Sequence, residues 1–273
     1  MGNNSKKRVS SKTKAILSIL SRNAENGLIS AQKAKEVLGM PIAKLSNRLS
    51  SLERGGWLKR IRRGFYFIPP IESKPDLIVT VEDSWILAKL LYSPCYIGGW
   101  SAAEYWGLTE QIFKSTFVVT SANIRKRSES IIGVEFHIVK VQKNKIRNLT
   151  PVWRGARQVE VSDREKTLAD ALCNPEWVGG IRHLTDMLKT YGERSDKDFS
   201  KLLKYLNEFG KGAPFKRFGY LLEEFFPSEK NAINEAIGHK KTGYVKLDPD
   251  VDARGVLNKR WGLWINISLD KLQ

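Results

Sequence analysis

Cysteine and histidine are scarce in this sequence of 273 residues. Cys95 and Cys173 lie far apart in apolar surroundings, which favours two buried thiols in a reducing compartment over a disulfide or a pair of metal ligands. The three histidines, His137, His183 and His239, lack the spacing of a zinc-binding helix, and each is interpreted as a structural or surface residue. The sequence therefore predicts no disulfide framework and no metal site.

Long hydrophobic runs are absent as well. No apolar segment approaches the ~18–20 residues that a membrane span requires. Residues 1–14 are polar and basic with no apolar stretch behind them, which is unlike a secretion signal. Hydrophobic residues still make up 41% of the chain, which is enough for a sizeable core. We therefore expect a cytoplasmic protein of two domains that does not associate with membranes.

Acidic residues are rare at one end of the chain. Residues 1–75 contain sixteen Lys and Arg residues but only four acids, a net charge of +12, whereas the other 198 residues carry a net charge of +5. The tail Lys6-Lys7-Arg8 supplies only three of those sixteen cations, so a solubilising tail does not account for the excess. A basic field this concentrated attracts a polyanion and gains free energy from the release of its counterions.

Three short helical patterns follow a basic tail at residues 1–11, which we expect to be flexible. The first pattern covers 13–22, and the second covers 31–38 between a serine that can cap its start and a glycine that can end it. The third begins after Pro41 and carries one narrow apolar stripe. That stripe consists of Ile42, Leu45, Leu49 and Leu52. Two short helices joined by a tight turn that contains glycine are typical of a helix-turn-helix.

A short β-hairpin is predicted directly after the third helix. Two β-rich runs, residues 57–61 and 65–68, flank the basic tip Arg62-Arg63-Gly64. Three helices followed by such a hairpin predict a winged helix. We therefore assign residues 1–72 to a winged helix-turn-helix domain that binds DNA.

The groove chemistry of DNA assigns roles to the polar residues of this domain. The major groove admits one helix, and its base edges offer donors and acceptors to Asn, Arg, Lys and Ser side chains. The predicted base-reading residues of the third helix are Lys44, Asn47, Arg48 and Ser51, with Arg54 on the same polar face. The predicted contacts to phosphate or to the minor groove are Lys59, Arg60, Arg62 and Arg63. The alternative is a winged helix that contacts protein, but a basic tail, helix face and tip together favour double-stranded DNA.

Residues 73–273 are predicted to form a larger mixed α/β domain, so the fold class of the whole chain is α+β. Predicted strands cover 117–120, 134–138 and 261–267, and predicted helices cover 85–91, 199–209 and 215–225. Two segments have the spacing of a capping box, Ser101 to Glu104 and Ser162 to Glu165.

Catalytic patterns are missing from this second domain. Residues 238–243 have glycines at phosphate-loop spacing, but Tyr244 stands where the lysine of such a loop is needed. Residues 248–252 imitate a calcium loop without its glycine and its final glutamate. The nearest candidates for a metal-dependent nuclease are Glu160, Asp163, Glu165, Lys166 and Asp170. Their spacing fits helix capping better, so we predict no catalytic residue, no cofactor and no metal.

Three segments of the second domain resemble a known family. They are residues 96–109 (YIGGWSAAEYWGLT), residues 162–172 (SDREKTLADAL) with NPE at 174–176 and GGI at 179–181, and residues 216–223 (KRFGYLLE). Together with the winged helix they resemble the AbiEi family of antitoxins, the repressor half of type IV toxin–antitoxin systems of abortive infection. The resemblance covers about residues 10–240, and the EKTLAD and GYLLE pieces together make it fairly specific.

The resemblance implies a function that composition and spacing do not. A protein of this family binds inverted repeats in the promoter of its own operon and represses it. Its second domain supports cooperative DNA binding and counteracts a nucleotidyltransferase-like toxin encoded beside it, without needing a stable complex with that toxin. We accordingly expect a phage-defence antitoxin, a monomer in solution or a cooperative dimer on DNA. The family offers no catalytic residues to carry over.

Two other classes of protein remain as alternatives. One is a nuclease that a winged helix tethers to DNA, which predicts magnesium-dependent cleavage abolished by Glu165→Ala. The other is a ligand-sensing regulator whose second domain, rich in aromatic residues, holds an effector that releases the operator.

Overall fold

The computed structural model describes residues 10–25, 27–69 and 83–269. The described chain is a mixed α+β protein, the class that the sequence predicts, and it divides into two compact units. The first unit comprises the described residues up to Leu87 together with Ser130–Val134, and the second comprises Ala88–Glu129 and the described residues from Glu135 onward. Most of the predicted basic tail and the predicted boundary at 72–73 lie outside the described residues.

Residues 10–25 and 27–69 of the first unit form three helices and a small sheet. In chain order its described elements are α1 (Ser11–Arg22), β1 (Leu28–Ser30), α2 (Ala31–Leu38), α3 (Ile42–Arg54), β2 (Lys59–Arg62) and β3 (Phe65–Phe67). Ser30 caps α2, because its side chain accepts a hydrogen bond of 3.0 Å from the backbone N–H of Lys33. Gly39 ends α2 with a left-handed φ of 59°. The predicted bounds of this helix are therefore confirmed.

Strand β3 is the middle strand of the small sheet. It pairs antiparallel with β1 on one side and with β2 on the other, and β2 contains a bulge between Arg60 and Arg62. The β2–β3 hairpin is predicted by the sequence. Strand β1 is not, because three residues carry too little alternation to identify a strand.

A hydrophobic core joins the three helices and the small sheet of residues 10–69. Leu20 of α1 and Leu45, Leu49 and Leu52 of α3 are all buried in it. The predicted stripe is wrong at Ile42, which is 60% exposed. Ile42 is the first residue of α3, and the part of the helix that packs on the core begins one turn later at Leu45.

A mixed sheet of six strands follows in the chain. Its strands are β4 (Cys95–Ile97), β5 (Ser115–Thr120), β6 (Ser128–Ile131), β7 (Val134–Lys140), β8 (Leu149–Arg154) and β9 (Arg157–Ser162). Their spatial order is β6-β7-β5-β4-β9-β8. Strand β5 lies inside the sheet between β4 and β7, and Phe117, Val118 and Val119 are fully buried there. This position explains the continuous apolar run from which the strand is predicted.

Seven described helices and a smaller sheet accompany these strands. The helices are α4 (Ser84–Tyr92), α5 (Gly99–Tyr105), α6 (Arg164–Cys173), α7 (Ile181–Gly192), α8 (Phe199–Phe209), α9 (Gly212–Phe225) and α10 (Lys230–His239), and the small sheet contains β10 (Val245–Lys246), β11 (Val256–Asn258) and β12 (Leu263–Ile265). The apolar faces of α6 to α10 share one core. None of the helices in the described ranges has the length and apolar character needed to cross a membrane.

The two predicted capping boxes do not form. Helix α5 starts two residues before Ser101, whose hydroxyl instead accepts a hydrogen bond of 2.9 Å from the backbone N–H of Phe117. The cap of α6 is Asp163, which accepts from the backbone N–H of Lys166 at 2.7 Å. The predicted cap Ser162 bonds the hydroxyl of Thr167 instead. Capping of α6 is thus correct in kind but displaced by one residue.

Residues after α10 pack onto α9. The side chain of Lys216 donates to the carbonyl oxygen of Gly243. Buried Arg217 donates from Nε to the carbonyl oxygen of Leu247 at 2.8 Å and from Nη1 to that of Leu172 at 3.0 Å. The guanidinium group therefore links the end of α6, α9 and the residue that follows β10 of the small sheet.

Helix α9 also packs against a buried tryptophan, Trp261. A methyl group at Gly219 would lie 2.0 Å from the ring of Trp261, so only glycine lets the ring approach α9 this closely. The indole N–H of Trp261 donates to Glu223, one turn further along α9. Asp248 is buried as well, and its carboxylate accepts a hydrogen bond of 3.1 Å from the backbone N–H of Ile181. Residues 243–261 are therefore packed against four residues of the 216–223 segment: Lys216, Arg217, Gly219 and Glu223.

Candidate nucleic-acid interface

Four polar residues form a row on the exposed side of α3, opposite its buried leucines. We call them the α3 row, and they are Lys44, Asn47, Ser51 and Arg54. Intervals of three and four residues place all four on one helix face. No side chain caps the start of α3 after Pro41, so this end of the helix keeps unpaired N–H groups and a partial positive charge.

Arg48 does not belong to this exposed row. It is half-buried, and its Nη2 donates a hydrogen bond of 3.1 Å to the hydroxyl of Thr13 in α1. That hydroxyl also bonds Ser10, the N-cap of α1. The sequence assigns base reading to Arg48, whereas the structure directs its side chain toward α1. The Thr13 partner was missed because it lies 35 residues away in the chain.

The β2–β3 hairpin carries a second group of basic side chains. Lys59, Arg60 and Arg63 are exposed, and we call these the hairpin cations. Arg62 is half-buried, and its guanidinium carbon lies 5.4 Å from the ring centroid of Phe65. A cation over an aromatic face is attracted to it, so Arg62 packs along the hairpin while the other three side chains point into solvent.

The tip of the hairpin is tied to the helices. Gly64 has a left-handed φ of 82°, which allows the chain to turn there. Its carbonyl oxygen accepts a hydrogen bond of 2.7 Å from the backbone N–H of Ala31, the first residue of α2. This bond fixes the basic tip relative to the helical part of the same unit.

Within the described residues, the cations of the α3 row and the hairpin cations have no acidic partner. Within residues 10–25 and 27–69 the acidic residues are Glu25, Glu36 and Glu53, and Glu36 pairs with Lys33 of α2 at 3.6 Å. Lys44, Arg54 and the three hairpin cations form no ion pair in this part of the chain. The described part of the first unit therefore has positive charge without acidic partners on α3 and on the β2–β3 hairpin that follows it in the chain.

The carboxylates considered for a nuclease site have other partners in the second unit. Glu165 is buried and accepts hydrogen bonds from the hydroxyl of Tyr191 at 2.6 Å and from Nζ of Lys201 at 2.9 Å. Asp163 caps α6 and accepts from Tyr205 at 2.9 Å. These bonds join α6 to α7 and α8, which is a structural role for the glutamate.

Asp170 belongs to a second buried group. Its carboxylate accepts from the hydroxyl of Tyr96 at 2.8 Å and pairs with Nζ of Lys166 at 3.2 Å. Burial raises the pKa of Asp170, while the charge of Lys166 acts in the opposite direction. Among the described residues, no group of three or more His, Cys, Asp or Glu side chains is arranged to hold a metal ion. The sequence identifies these carboxylates but not their partners Tyr96, Tyr191 and Lys201, which come from distant segments.

Comparison with known proteins identifies a structural likeness. No protein-family model matches the chain, and no curated protein matches it. A crystal structure of the RV2827C protein from Mycobacterium tuberculosis is similar, with a TM-score of 0.57 and 16% sequence identity. The match covers 94% of this chain and 92% of that one. At this identity the likeness concerns the fold alone.

Proposed function

We propose that this protein is a cytoplasmic transcriptional repressor whose first unit is a winged helix-turn-helix that binds double-stranded DNA. The order of elements supports this proposal: three helices, the last two joined by a short turn at Gly39, precede a hairpin with a basic tip. The exposed α3 row carries the proposal, because it places two cations, an amide and a hydroxyl on the helix that such domains insert into the major groove.

The α3 row and the hairpin have different roles in this proposal. Asn47 lies near the middle of the row, and its amide suits the paired donor and acceptor of adenine in the major groove. Lys44, Ser51 and Arg54 contact neighbouring bases or phosphates. The hairpin cations bind phosphates, which sets affinity and orientation but reads little sequence. Arg48 orients α3 against α1 through Thr13.

A winged helix that contacts protein is the competing interpretation of this unit. A protein-binding face buries apolar side chains at its centre and is depleted of lysine. Beyond Ile42 and Ala43 at its start, the exposed side of α3 has polar and basic side chains instead. The hairpin adds three exposed cations that have no acidic partner among the described residues. These observations favour a polyanion.

Selection of binding sites from a random duplex library tests the proposal. We expect the full chain to enrich a defined sequence, and Asn47→Ala to lose about 1–3 kcal/mol of preference for it while binding unrelated duplex as before. Asn234→Ala, an exposed asparagine on α10, is the matched control and should enrich the wild-type sequence. Enrichment of no sequence, or the same preference in Asn47→Ala, would overturn the assignment of α3 as the reading helix.

An antitoxin role is the second part of the proposal. It is supported by the resemblance of residues 96–109, 162–172 and 216–223 to the AbiEi family. The repressed operon would be the protein's own, and its second gene would encode a nucleotidyltransferase-like toxin. No catalytic residue of this chain is needed for either role.

Co-expression tests this second part. We expect the adjacent gene to arrest growth when expressed alone, and this chain to restore growth. Restoration should persist in the Asn47→Ala and Arg63→Ala variants when both genes are driven by foreign promoters, because repression then plays no part. An adjacent gene that is harmless alone would contradict the antitoxin role and leave the DNA-binding proposal to its own test.

A further inference from the structure

A cavity of about 630 Å³ lies within the second unit. It is bounded by the end of β7, the end of α6 and the chain between α8 and α9. This volume is within the range of about 300–1,000 Å³ that small-molecule sites occupy. The proposed DNA-binding function does not use it.

Four cations line the cavity: Arg127, Lys140, Lys145 and Lys211. Their neighbours leave the charges uncompensated. The ammonium of Lys140 donates to the side-chain oxygen of Asn123 at 2.8 Å, and that of Lys145 lies 3.5 Å from the carbonyl oxygen of Glu208. None of the four forms an ion pair with an acidic residue of the described chain.

The acidic residues of the lining do not cancel this charge. They are Asp170 and Glu176, and Asp170 is already paired with buried Lys166. Lys211 is the N-cap of α9, a helix of 14 residues whose start has no side-chain cap. The helix therefore adds a partial positive charge on the side where Lys211 lies.

Aromatic rings form another part of the lining. They belong to His137, Trp177 and Phe209. The ring of His137 stacks on Phe117 with a centroid distance of 5.1 Å and an interplanar angle of 26°, which holds its orientation. Burial, and after it the charge of Arg127, lowers the pKa of His137.

We propose that this cavity binds a nucleotide, with its phosphates against the four cations and its base against the aromatic rings. A simple anion would need the cations alone, and an apolar effector would need the rings alone. The combination fits a ligand that has both a polyanionic group and a planar aromatic group. The cavity volume favours a mononucleotide over a nucleic-acid strand, which binds in an open groove that tracks its backbone.

Calorimetric titration of the full chain with ATP, GTP, CTP and UTP tests this proposal. Saturable binding is expected for at least one of them below about 1 mM. Lys145→Ala and Lys211→Ala should each weaken it about tenfold, because each removes a charged partner of the phosphates. Nζ of Lys145 lies 5.1 Å from the centroid of the Phe209 ring. Phe209→Leu keeps an apolar side chain but removes the ring, and should weaken nucleotide binding more than pyrophosphate binding.

Two control variants separate the cavity from binding to basic surface. Lys204→Ala removes an exposed lysine of α8 outside the cavity, and Arg63→Ala removes a hairpin cation of the first unit. Both should bind the nucleotide within about twofold of wild type. Thermal unfolding of each variant checks that it folds.

Three outcomes would overturn the proposal. They are the absence of saturable binding by all four nucleotides, equal affinity in wild type and the three cavity variants, and pyrophosphate binding as tight as the nucleotide. If a short single-stranded oligonucleotide bound far more tightly and required the same residues, the site would belong to nucleic acid and the mononucleotide assignment would be wrong. The result does not depend on whether α3 reads DNA, since Asn47→Ala leaves the cavity intact.

Discussion

Alanine at Arg60 and Arg63 should flatten the dependence of DNA affinity on salt. Both side chains are exposed on the hairpin and form no ion pair in the described chain, so their removal should leave the fold intact. If each arginine neutralises one phosphate, the slope of log affinity against log salt falls by about 0.9 for each substitution. Between about 50 and about 200 mM salt, wild type then loses about 3.5-fold more affinity than either single variant and about 12-fold more than the double variant.

Fluorescence anisotropy with a short labelled duplex, repeated over a series of salt concentrations, measures these slopes. The matched control is the double variant Lys204→Ala and Lys230→Ala, which removes the same charge from exposed positions of the second unit. Its slope should equal that of wild type, because phosphate contacts and not net charge determine the number of counterions released. Equal slopes for wild type and the arginine variants would refute the role of the hairpin. Equal flattening in the control would show that net charge alone attracts DNA.

Three further predictions concern packing and the buried thiol. Leu49→Ala should lower the free energy of unfolding, measured with urea, by about 2–5 kcal/mol, because Leu49 is buried. Ile42→Ala should lower it little, because that side chain is 60% exposed. Equal losses in the two variants would contradict the described core. Gly219→Ala should strongly destabilise the second unit, because its methyl group would lie 2.0 Å from the indole ring of Trp261. The methyl group of Gly238→Ala would meet nothing within 4 Å, so this variant should be neutral or more stable by about 0.5–1 kcal/mol. Thermal unfolding compares the two variants. Burial raises the pKa of the Cys95 thiol from 9.0 to about 12. Because the unfolded chain then loses this proton at lower pH than the folded one, the protein keeps its full stability below pH 9 and becomes less stable as the pH rises toward 12. Alkylation of Cys95 at pH 9 should accordingly be slow until urea is added, and equal rates with and without urea would show that the thiol is accessible.

The sequence predicts local structure well where one short segment determines it. Ser30 and Gly39 define the ends of α2 because both caps act within one turn. The bounds of α8 also coincide with the prediction, since its apolar residues recur at helical spacing over the whole helix. Ser101 fails as a cap because the backbone N–H of Phe117, sixteen residues away, takes its hydroxyl. A local pattern does not show such a competing partner.

In the candidate sites, too, the sequence predicts what depends on one short segment and misses what depends on contacts between distant segments. The exposure of the α3 row follows from helical spacing, so the position of Asn47 on the exposed face of α3 could be predicted from the sequence. The displacement of Arg48 toward Thr13 could not, because it depends on the packing of α1 against α3. The sequence offers an effector site in the second domain only as an alternative and does not locate it, since the cations and rings of the cavity come from β7, α6 and the α8–α9 connection and meet only in the folded unit.

The late position of Trp261 in the chain determines when the core of the second unit becomes complete during synthesis. The segments of the first unit, including Ser130–Val134, all precede Trp261 in the chain, so that unit is free to fold while the rest is translated. The core of the second unit includes Trp261 and Leu263, and until they emerge α9 exposes the surface around Gly219 that the indole ring covers. A nascent chain paused near residue 240 would therefore carry a folded first unit joined to an unfinished second one. Under our proposal, such a chain would acquire affinity for DNA before its second unit is complete.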